Sequence, residues 1–216
     1  MSAFDLITRD YGHIPYMDAR RAEVLRGIVT EHGAREILEI GFYQGKSSLY
    51  IGAILEDLGA GRLVTIDKAT ARRHDPNILD LLEATGLGHR VEPRFAHRSY
   101  TWEMQRMIAE SPRPQFDLCY FDGGHQWDGT GFGVLLVDML LKPGGILVLD
   151  DMNWSMARSA YHRARPGSVA GFSEDERAAQ TVRLVWRHVL PHLGYTHIRE
   201  YPALDWGVAR KPGGGR

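Results

Sequence analysis

Short apolar runs alternate with helix-length amphipathic segments through most of this chain. Five such runs lie at residues 37–40, 62–67, 90–95, 116–121 and 144–149. The segments between them carry apolar residues at helical spacing, for example Leu49, Ile51, Ile54, Leu55 and Leu58. A strand–helix–strand alternation is typical of parallel sheets with right-handed crossovers. The pattern therefore predicts an α/β fold.

The flanking regions have their own signals. Asp18 is a candidate N-cap for a helix to about His32, and Ser173 with Glu176 predicts a capping box that opens a helix continuing to Leu190. Residues 195–201 and 205–210 predict a closing hairpin, and residues 211–216 a polar tail. Residues 1–17 show no strong period, which leaves a mobile terminus and a flap over a site as open alternatives. Residues 152–171 predict a long irregular loop, which is usually functional or disordered.

Composition narrows the class of protein. A chain of 216 residues suits one domain with a full core. The formal net charge of -1 gives no electrostatic basis for binding nucleic acid or an anionic membrane. Cys119 is the only cysteine and lies within an apolar run, so we expect a buried thiol. No signal peptide or membrane-spanning run is evident, which predicts a cytoplasmic protein. The oligomeric state stays open, a homo-oligomer included.

Three acids follow two neighbouring predicted strands. Asp122 directly follows the run at 116–121, and Asp150 and Asp151 directly follow the run at 144–149. Ligands of open α/β sheets bind at the carboxyl ends of the strands, so these acids are predicted to meet at a functional edge. Oxygen ligands suit Mg²⁺, Ca²⁺ or Mn²⁺, which predicts a metal site at Asp122, Asp150 and Asp151, with Asn153 as an outer candidate. The alternative is neutralisation by arginines such as Arg158.

A glycine turn follows the first predicted strand. Gly41 and Gly45 bracket the turn, and a helix opens directly afterwards at Lys46, Ser47 and Ser48. Free N–H groups at such a helix start suit a carboxylate or phosphate. The second predicted strand ends at Asp67, where an acid can accept hydrogen bonds from ribose hydroxyls. This order is typical of a site for an adenosine-containing cofactor.

The turn also bears on which cofactor binds. A dinucleotide fold needs a glycine at position 43 for close approach of the pyrophosphate, but this chain has Tyr43. That favours a cofactor without a pyrophosphate, such as S-adenosylmethionine. A nucleotide-binding oxidoreductase is the less favoured alternative.

Four motifs in order resemble those of class I S-adenosylmethionine-dependent methyltransferases. They are ILEIGFYQGKSS, VTIDK, FDLCYFDGGH and LLKPGGILVLDD, and they span about residues 35–151. The resemblance implies an α/β, doubly wound, mostly parallel seven-stranded sheet with an antiparallel last strand. It also implies a set of cofactor-binding residues: Glu39 and Gly41 beside the methionine part, Gly45 and Ser47 at the helix start, Asp67 at the ribose, Ser99 near the adenine, and Asp122.

This reading divides a single methyltransferase domain, 1–216, into four parts. They are an N-terminal flap and helix (1–34), a cofactor-binding core (35–151), an acceptor-side loop (152–172), and a C-terminal helix, hairpin and tail (173–216). Trp127, Trp154 and Tyr161 are candidate apolar walls of the acceptor pocket.

The acids resemble those of the cation-dependent O-methyltransferases, both the catechol type and the type that methylates macrolide sugars. The catechol type has Asp, Asp and Asn at its metal positions, so Asp151 is closer to the sugar-methylating type. His125 stands where the catechol type has its proton-accepting lysine, and an imidazole can do that work. A histidine that is merely hydrogen-bonded in its loop is the alternative.

The resemblance implies methyl transfer to a hydroxyl of a small molecule: a sugar, a phenol or another natural product. Mg²⁺ or another divalent cation would assist, and His125 or Asp122 would accept the proton. A metal-independent methyltransferase of the same fold is the main alternative.

Overall fold

A seven-stranded sheet forms the centre of the protein, described here from a computed structural model that covers residues 1–214. The strand order is β3-β2-β1-β4-β5-β7-β6. Strands β1 to β5 are parallel, while β7 runs antiparallel to both β5 and β6. The predicted fold class, including the antiparallel last strand, is confirmed. The strands are β1 (Glu36–Ile40), β2 (Arg62–Lys68), β3 (Val91–Ala96), β4 (Phe116–Phe121), β5 (Leu141–Leu149), β6 (Thr196–Tyr201) and β7 (Trp206–Arg210).

Helices cover both faces of the sheet, which is why the central strands read as nearly continuous apolar runs. Successive residues of β4 point to opposite faces, so Leu118 packs in one core and Cys119 in the other. Cys119 is buried, as expected. The helices are α1 (Ala3–Tyr11), α2 (Ala19–Glu31), α3 (Lys46–Asp57), α4 (Ile78–Thr85), α5 (Tyr100–Ala109), α6 (Trp127–Leu140), α7 (Ala160–Ala164), α8 (Glu174–Ala178), α9 (Thr181–Leu184) and α10 (Leu190–His192).

Parallel register brings the carboxyl ends of the central strands to one edge. Ile40 pairs with Ile66 in β2 and with Phe121 in β4, and Phe121 pairs with Leu149 in β5. The residues that follow these paired positions therefore emerge side by side. They are Gly41, Asp67, Asp122, Asp150 and Asp151, the residues predicted to carry function.

The N-terminal segment differs from the expectation. Residues 1–17 were predicted to lack regular structure, but α1 occupies Ala3–Tyr11. Ser2 and Asp5 form a reciprocal capping box, and the Asp57 carboxylate accepts hydrogen bonds from the first N–H groups of the helix. The buried side chains of Phe4 and Ile7 attach α1 to the core.

The C-terminal third also departs from expectation. The segment at 152–171 contains α7 and a 3₁₀ turn at Pro166–Val169. The single helix predicted from Ser173 to Leu190 was wrong. Its capping box is present, but α8 ends at Ala178, and α9 then continues through a π-helical segment (Val185–Val189) into α10. The hairpin forms as predicted, and the last two residues of the predicted tail lie outside the described residues.

Among residues 1–214, no helix is both long enough and apolar enough to cross a membrane.

Candidate active site

A cavity of about 1030 Å³ opens at the carboxyl edge of the sheet. Its walls come from the glycine turn, from the ends of β2, β4 and β5, from the start of α5, and from the segment before α2. Ligand pockets of small-molecule enzymes usually have 300–1,000 Å³, so this cavity has room for a cofactor and an acceptor together. Of the predicted site residues, the lining includes Gly41, Ser47, Asp67, Ser99, Asp122, His125, Asp150 and Asp151.

The glycine turn has no room for side chains at its two ends. Gly41 has φ +89°, and a Cβ there would lie 2.1 Å from the backbone oxygen of Asp122. Gly45 has φ +106° and is the N-cap of α3, so no side chain caps the first N–H groups of that helix. The turn therefore brings backbone close to a ligand and presents a helix start suited to an anion.

Asp67 shapes the turn besides facing the cavity. Its Oδ2 atom accepts hydrogen bonds from the backbone N–H groups of Phe42 and Tyr43, at 2.9 and 2.7 Å. Its Oδ1 atom accepts one from the N–H of Lys68, at 2.6 Å. A carboxylate has about four lone-pair sites on its two oxygens, so Oδ1 keeps capacity for a hydroxyl, while both sites of Oδ2 are in use. The sequence analysis assigned Asp67 to the ribose but missed this role in holding the turn.

Glu39 lies beneath the turn and is fully buried. Its Oε2 atom accepts hydrogen bonds from the hydroxyls of Ser48 and Thr65, while Oε1 has no hydrogen-bond partner among the described residues. Burial raises the pKa of Glu39 to about 7, against the lowering effect of nearby hydroxyls. Its predicted contact with the methionine part of the cofactor stays a prediction.

Ser99 is the N-cap of α5, because its hydroxyl accepts a hydrogen bond from the N–H of Thr101 at 3.2 Å. This cap fixes Ser99 at the wall of the cavity, where the sequence predicted a residue near the adenine.

Asp122, His125 and Asp151 converge within the cavity. The Nε2 atom of His125 lies 2.6 Å from Oδ2 of Asp151 and 3.8 Å from Oδ1 of Asp122. Asp151 has φ +57°, an uncommon backbone conformation for an aspartate. Burial, then the charges of Asp150 and Asp151, hold the pKa of Asp122 well above its ordinary value. Asp151 has a lowered pKa, because the His125 contact and Arg21 outweigh its burial.

Asp150 is engaged by other groups. The Tyr120 hydroxyl donates to its Oδ2 atom, the N–H of Asp151 donates to Oδ1 at 2.6 Å, and the Arg21 guanidinium lies 3.4 Å away. The pKa of Asp150 is raised by burial and by the Asp151 charge, with Tyr120 and Arg21 opposing the shift. Neither Arg21 nor Tyr120 was identified from the sequence. In the sequence, Arg21 is an arginine of an amphipathic helix and Tyr120 is a residue of an apolar strand, and neither pattern indicates a site.

Other predicted contributors have different partners. Asn153, the outer metal candidate, donates its side-chain amide to Asp205 and accepts from Arg183 at 3.0 Å. Arg158, the suggested neutralising residue, donates to the backbone carbonyl of Asn153. Among residues 1–214 it is Arg21 that reaches the acids. The Asn153 side chain therefore links the loop after β5 to the β6–β7 hairpin.

Aromatic rings pack beside His125. The His125 ring packs on Trp154 with centroids 5.1 Å apart, and Trp154 contacts His162 at 6.0 Å. Thr181 donates a hydrogen bond to the backbone oxygen of His125. Of the three aromatic residues proposed as acceptor-pocket walls, Trp154 lines the cavity, whereas Tyr161 packs on the His162 ring and Trp127 is 48% exposed at the start of α6.

The donors fit a divalent cation. One ligand atom from each of Asp122, His125 and Asp151 lies within 4.8 Å of the others. The Nε2 atom of His125 is buried and makes no hydrogen bond of acceptable direction with the described residues, despite its closeness to Asp151. Two carboxylate oxygens and an imidazole nitrogen suit Mn²⁺, Fe²⁺ or Zn²⁺ at least as well as Mg²⁺.

The chain is similar to known proteins in both sequence and fold. A sequence profile described as "Methyltransferase domain" matches residues 38–152, which is more than half of the chain. That range begins in β1 and ends just after Asp151, so it holds the glycine turn and the acids. No curated protein sequence matches this chain at a significant level.

Solved structures share the fold. An O-methyltransferase from Bacillus cereus in complex with S-adenosylhomocysteine has a TM-score of 0.65 at 19% identity, over 97% of this chain and 88% of that chain. The O-methyltransferase TomG from Streptomyces achromogenes, involved in tomaymycin synthesis and solved with S-adenosylmethionine, has a TM-score of 0.63 at 21% identity, over 99% and 91%. A Podospora anserina methyltransferase bound to S-adenosylhomocysteine has a TM-score of 0.65 at 16% identity, over 99% and 86%.

At these identities the structural likeness shows a shared fold. The family profile adds the sequence evidence, and the two agree with the predicted class I methyltransferase. The chain belongs to the methyltransferase-domain family.

Proposed function

We propose that this protein transfers a methyl group from S-adenosylmethionine to a hydroxyl oxygen of a small molecule. The observation that carries the proposal is the convergence of Asp122, Asp151 and His125 in the same cavity as the glycine turn and Asp67. The groups that would hold an adenosyl cofactor and the groups that would act on a hydroxyl therefore line the same cavity. The O-methyltransferases among the proteins of similar fold support this choice of acceptor.

The cofactor would lie along the turn. Asp67 would accept hydrogen bonds from the ribose hydroxyls, and Ser99 would lie near the adenine. The carboxylate of the methionine part would face Ser47 and the start of α3, where N–H groups and the helix dipole favour an anion. Gly41 would allow the close backbone approach. Holding the donor methyl and the acceptor oxygen in line would supply much of the acceleration.

A divalent cation would be held by Asp122 and Asp151, which belong both to the set predicted from sequence and to the cluster in the structure. The third ligand is Asp150 in the predicted set and His125 in the observed cluster. The hydrogen bonds that already engage Asp150 favour His125. When bound, such an ion lowers the pKa of an acceptor hydroxyl and fixes its position. Mg²⁺ stays the predicted ion, with Mn²⁺ favoured more if His125 is a ligand.

The proton would go to Asp122 or His125. In the ion-free protein, the raised pKa of Asp122 makes it a stronger base than an ordinary aspartate, and a bound cation would oppose that shift. His125 can accept a proton at Nε2 only when that atom leaves Asp151, which it approaches at 2.6 Å. The geometry therefore favours Asp122, with His125 as the alternative base.

A metal-independent methyltransferase is the second candidate. The Arg21 guanidinium already lies beside Asp150 and offsets part of the negative charge. In that case the acids would bind and orient the acceptor without an ion. The oxidoreductase alternative finds no support, since the family profile is that of a methyltransferase. The predictions of a cytoplasmic location and of no nucleic-acid partner stay predictions.

Mass spectrometry of reaction products tests the proposal. Purified protein is incubated with S-adenosylmethionine and separate sugars, phenols and catechols, after chelation and again with added Mg²⁺ or Mn²⁺. We expect a product that carries one additional methyl on oxygen and requires the cation. Methylation only on nitrogen or carbon would contradict the hydroxyl acceptor. Full activity in chelator would favour the metal-independent candidate.

A further inference from the structure

Lys46 is a buried lysine that the proposed function leaves without a role. It is the first residue of α3 and only 4% exposed. Its ammonium group donates to three backbone carbonyls, those of Gly12 at 2.8 Å, Ile14 at 2.6 Å and Tyr16 at 3.4 Å. All three carbonyls belong to one short segment between α1 and α2.

The position is costly for a lysine. A positive charge at a helix N-terminus opposes the helix dipole. Burial also disfavours the ammonium form and lowers the pKa of Lys46, with the charge of Asp18 opposing that shift. The three carbonyls compensate for the lost water by accepting charge-assisted hydrogen bonds. The hydrogen bonds of Lys46 therefore hold the segment between α1 and α2 against the start of α3.

The segment of residues 12–17, here called the strap, covers the cofactor end of the cavity. Its anchors Ile14 and Met17 are buried, and Pro15, Tyr16 and Met17 line the cavity. The strap thus lies against the glycine turn, with Lys46 joining it to the start of α3.

Aromatic rings connect the strap to the turn. The ring of Tyr16 meets that of Tyr43 edge-on with centroids 5.2 Å apart, and Tyr43 packs on His74 at 4.1 Å. Tyr16 and Tyr43 have φ +64° and +51°, so both backbones are held in a sparsely populated region. The strap also leads into α2, which carries Arg21 to Asp150.

We propose that Lys46 is a positioning residue that holds the strap over the bound adenosyl cofactor, so that strap closure and cofactor binding stabilise each other. The inference rests on the proposed cofactor but needs neither the cation nor the hydroxyl acceptor. Loss of the ammonium group frees the strap. The cofactor then binds more weakly, while the acids that act on the acceptor keep their places.

Three variants test the role of Lys46. Lys46→Met keeps the length of the side chain but removes the donors, and Lys46→Arg keeps a cation. Lys142→Met is the matched control, because it removes a lysine whose ammonium pairs with Asp117 at 2.6 Å, outside the cavity. Affinity for S-adenosylhomocysteine is measured by calorimetry, and hydrogen exchange is followed in residues 1–17 and in the strands of the sheet, with and without that ligand.

We expect Lys46→Met to bind S-adenosylhomocysteine roughly 5- to 150-fold more weakly, the usual range of a coupling between two events. Exchange should accelerate in the strap and slow again when ligand saturates. Lys46→Arg should recover most of the affinity, and Lys142→Met should equal the wild type. In turnover assays, KM for S-adenosylmethionine should rise while kcat changes little.

Wild-type affinity in Lys46→Met, or faster exchange spread across the whole sheet, would overturn the inference. If Lys46→Met does not fold, Ile14→Ala loosens the strap without altering α3 and should give the same loss of affinity. Normal affinity in that variant would also overturn it. A wild-type protein that fails to bind S-adenosylhomocysteine would instead refute the proposed cofactor.

Discussion

The guanidinium group of Arg21 in α2 lies 3.4 Å from the carboxylate of Asp150 at the end of β5, across 129 positions of chain. This one cation lowers the pKa of Asp150 and also those of Asp122 and Asp151, against burial, which raises all three. Arg21 therefore helps to keep the carboxylates ionised.

Replacing Arg21 should shift the acidic limb of the dependence of turnover on pH. Without its charge, the raised pKa values of Asp122 and Asp150 rise further, so more alkaline conditions are needed to ionise the cluster. We expect Arg21→Met to shift the rising limb of turnover to higher pH. Arg20→Met, one position earlier and exposed, is the control. Identical limbs in both variants would show that Arg21 does not tune the acids.

Glu39 makes the stability of the ligand-free protein depend on pH. Its folded pKa of about 7 exceeds the ordinary value of 4.5, so between these values the folded state holds a proton that the unfolded chain has released. Stability therefore falls as pH rises through this window. Glu39→Gln cannot ionise, and above pH 7 it should avoid a cost of at most about 3 kcal/mol.

Urea unfolding at pH 5 and pH 8 measures this effect. The wild type should lose stability between the two values more than Glu39→Gln does. Glu23→Gln, an exposed glutamate in α2, should behave as the wild type. An equal loss in all three proteins would mean that Glu39 is ionised in the folded state at both pH values.

Asp67→Ala should weaken binding of S-adenosylhomocysteine. The ribose hydroxyls lose a charged acceptor, whose hydrogen bonds contribute about 1.5–3 kcal/mol, and the N–H groups of Phe42 and Tyr43 lose theirs as well. Asp67→Asn keeps an oxygen acceptor and should give a smaller loss. Calorimetry compares the three proteins. Unchanged affinity in Asp67→Ala would remove this residue from the cofactor site.

Two adjacent aspartates should differ in metal binding. We expect Asp151→Asn to lose Mn²⁺ affinity, because Asp151 lies in the converging cluster. Asp150→Asn should keep most of it, because the carboxylate of Asp150 already accepts from Tyr120 and from the backbone. Titration with Mn²⁺, in which electron paramagnetic resonance detects the free ion, measures the affinity of each variant. Equal loss of binding in both variants would restore the ligand set predicted from sequence, which contains both Asp150 and Asp151.

The His125→Ala variant tests whether His125 is a metal ligand or the proton acceptor. As a base, its neutral imidazole is the active form, so the variant should lower turnover by about 10²–10⁴-fold, flatten the rise of activity with pH, and keep its Mn²⁺ affinity. As a ligand, the residue should instead show nitrogen coupling in the Mn²⁺ resonance spectrum, and the variant should bind Mn²⁺ less tightly. Normal turnover with normal Mn²⁺ affinity would leave Asp122 as the proton acceptor.

The sequence by itself determined the central architecture. The apolar runs, the glycine turn and the acids after strand ends act locally, and parallel pairing then aligns those ends at one edge whatever the details of packing. This is why Gly41, Asp67, Asp122 and Asp151 could be assigned to one cavity in advance. The resemblance to class I methyltransferases predicted the rest of the sheet, including the antiparallel last strand.

Only the tertiary structure decided how the charged groups are partnered. Arg21, Lys46 and Tyr120 meet their partners across long stretches of chain, and no periodic pattern encodes such pairs. The same contacts determine which oxygens remain open, so Asp150 is engaged while Asp122 and Asp151 face His125. Burial, which depends on the whole packed chain, then raises the pKa values of Glu39 and Asp122, because a low-dielectric interior disfavours their charged forms.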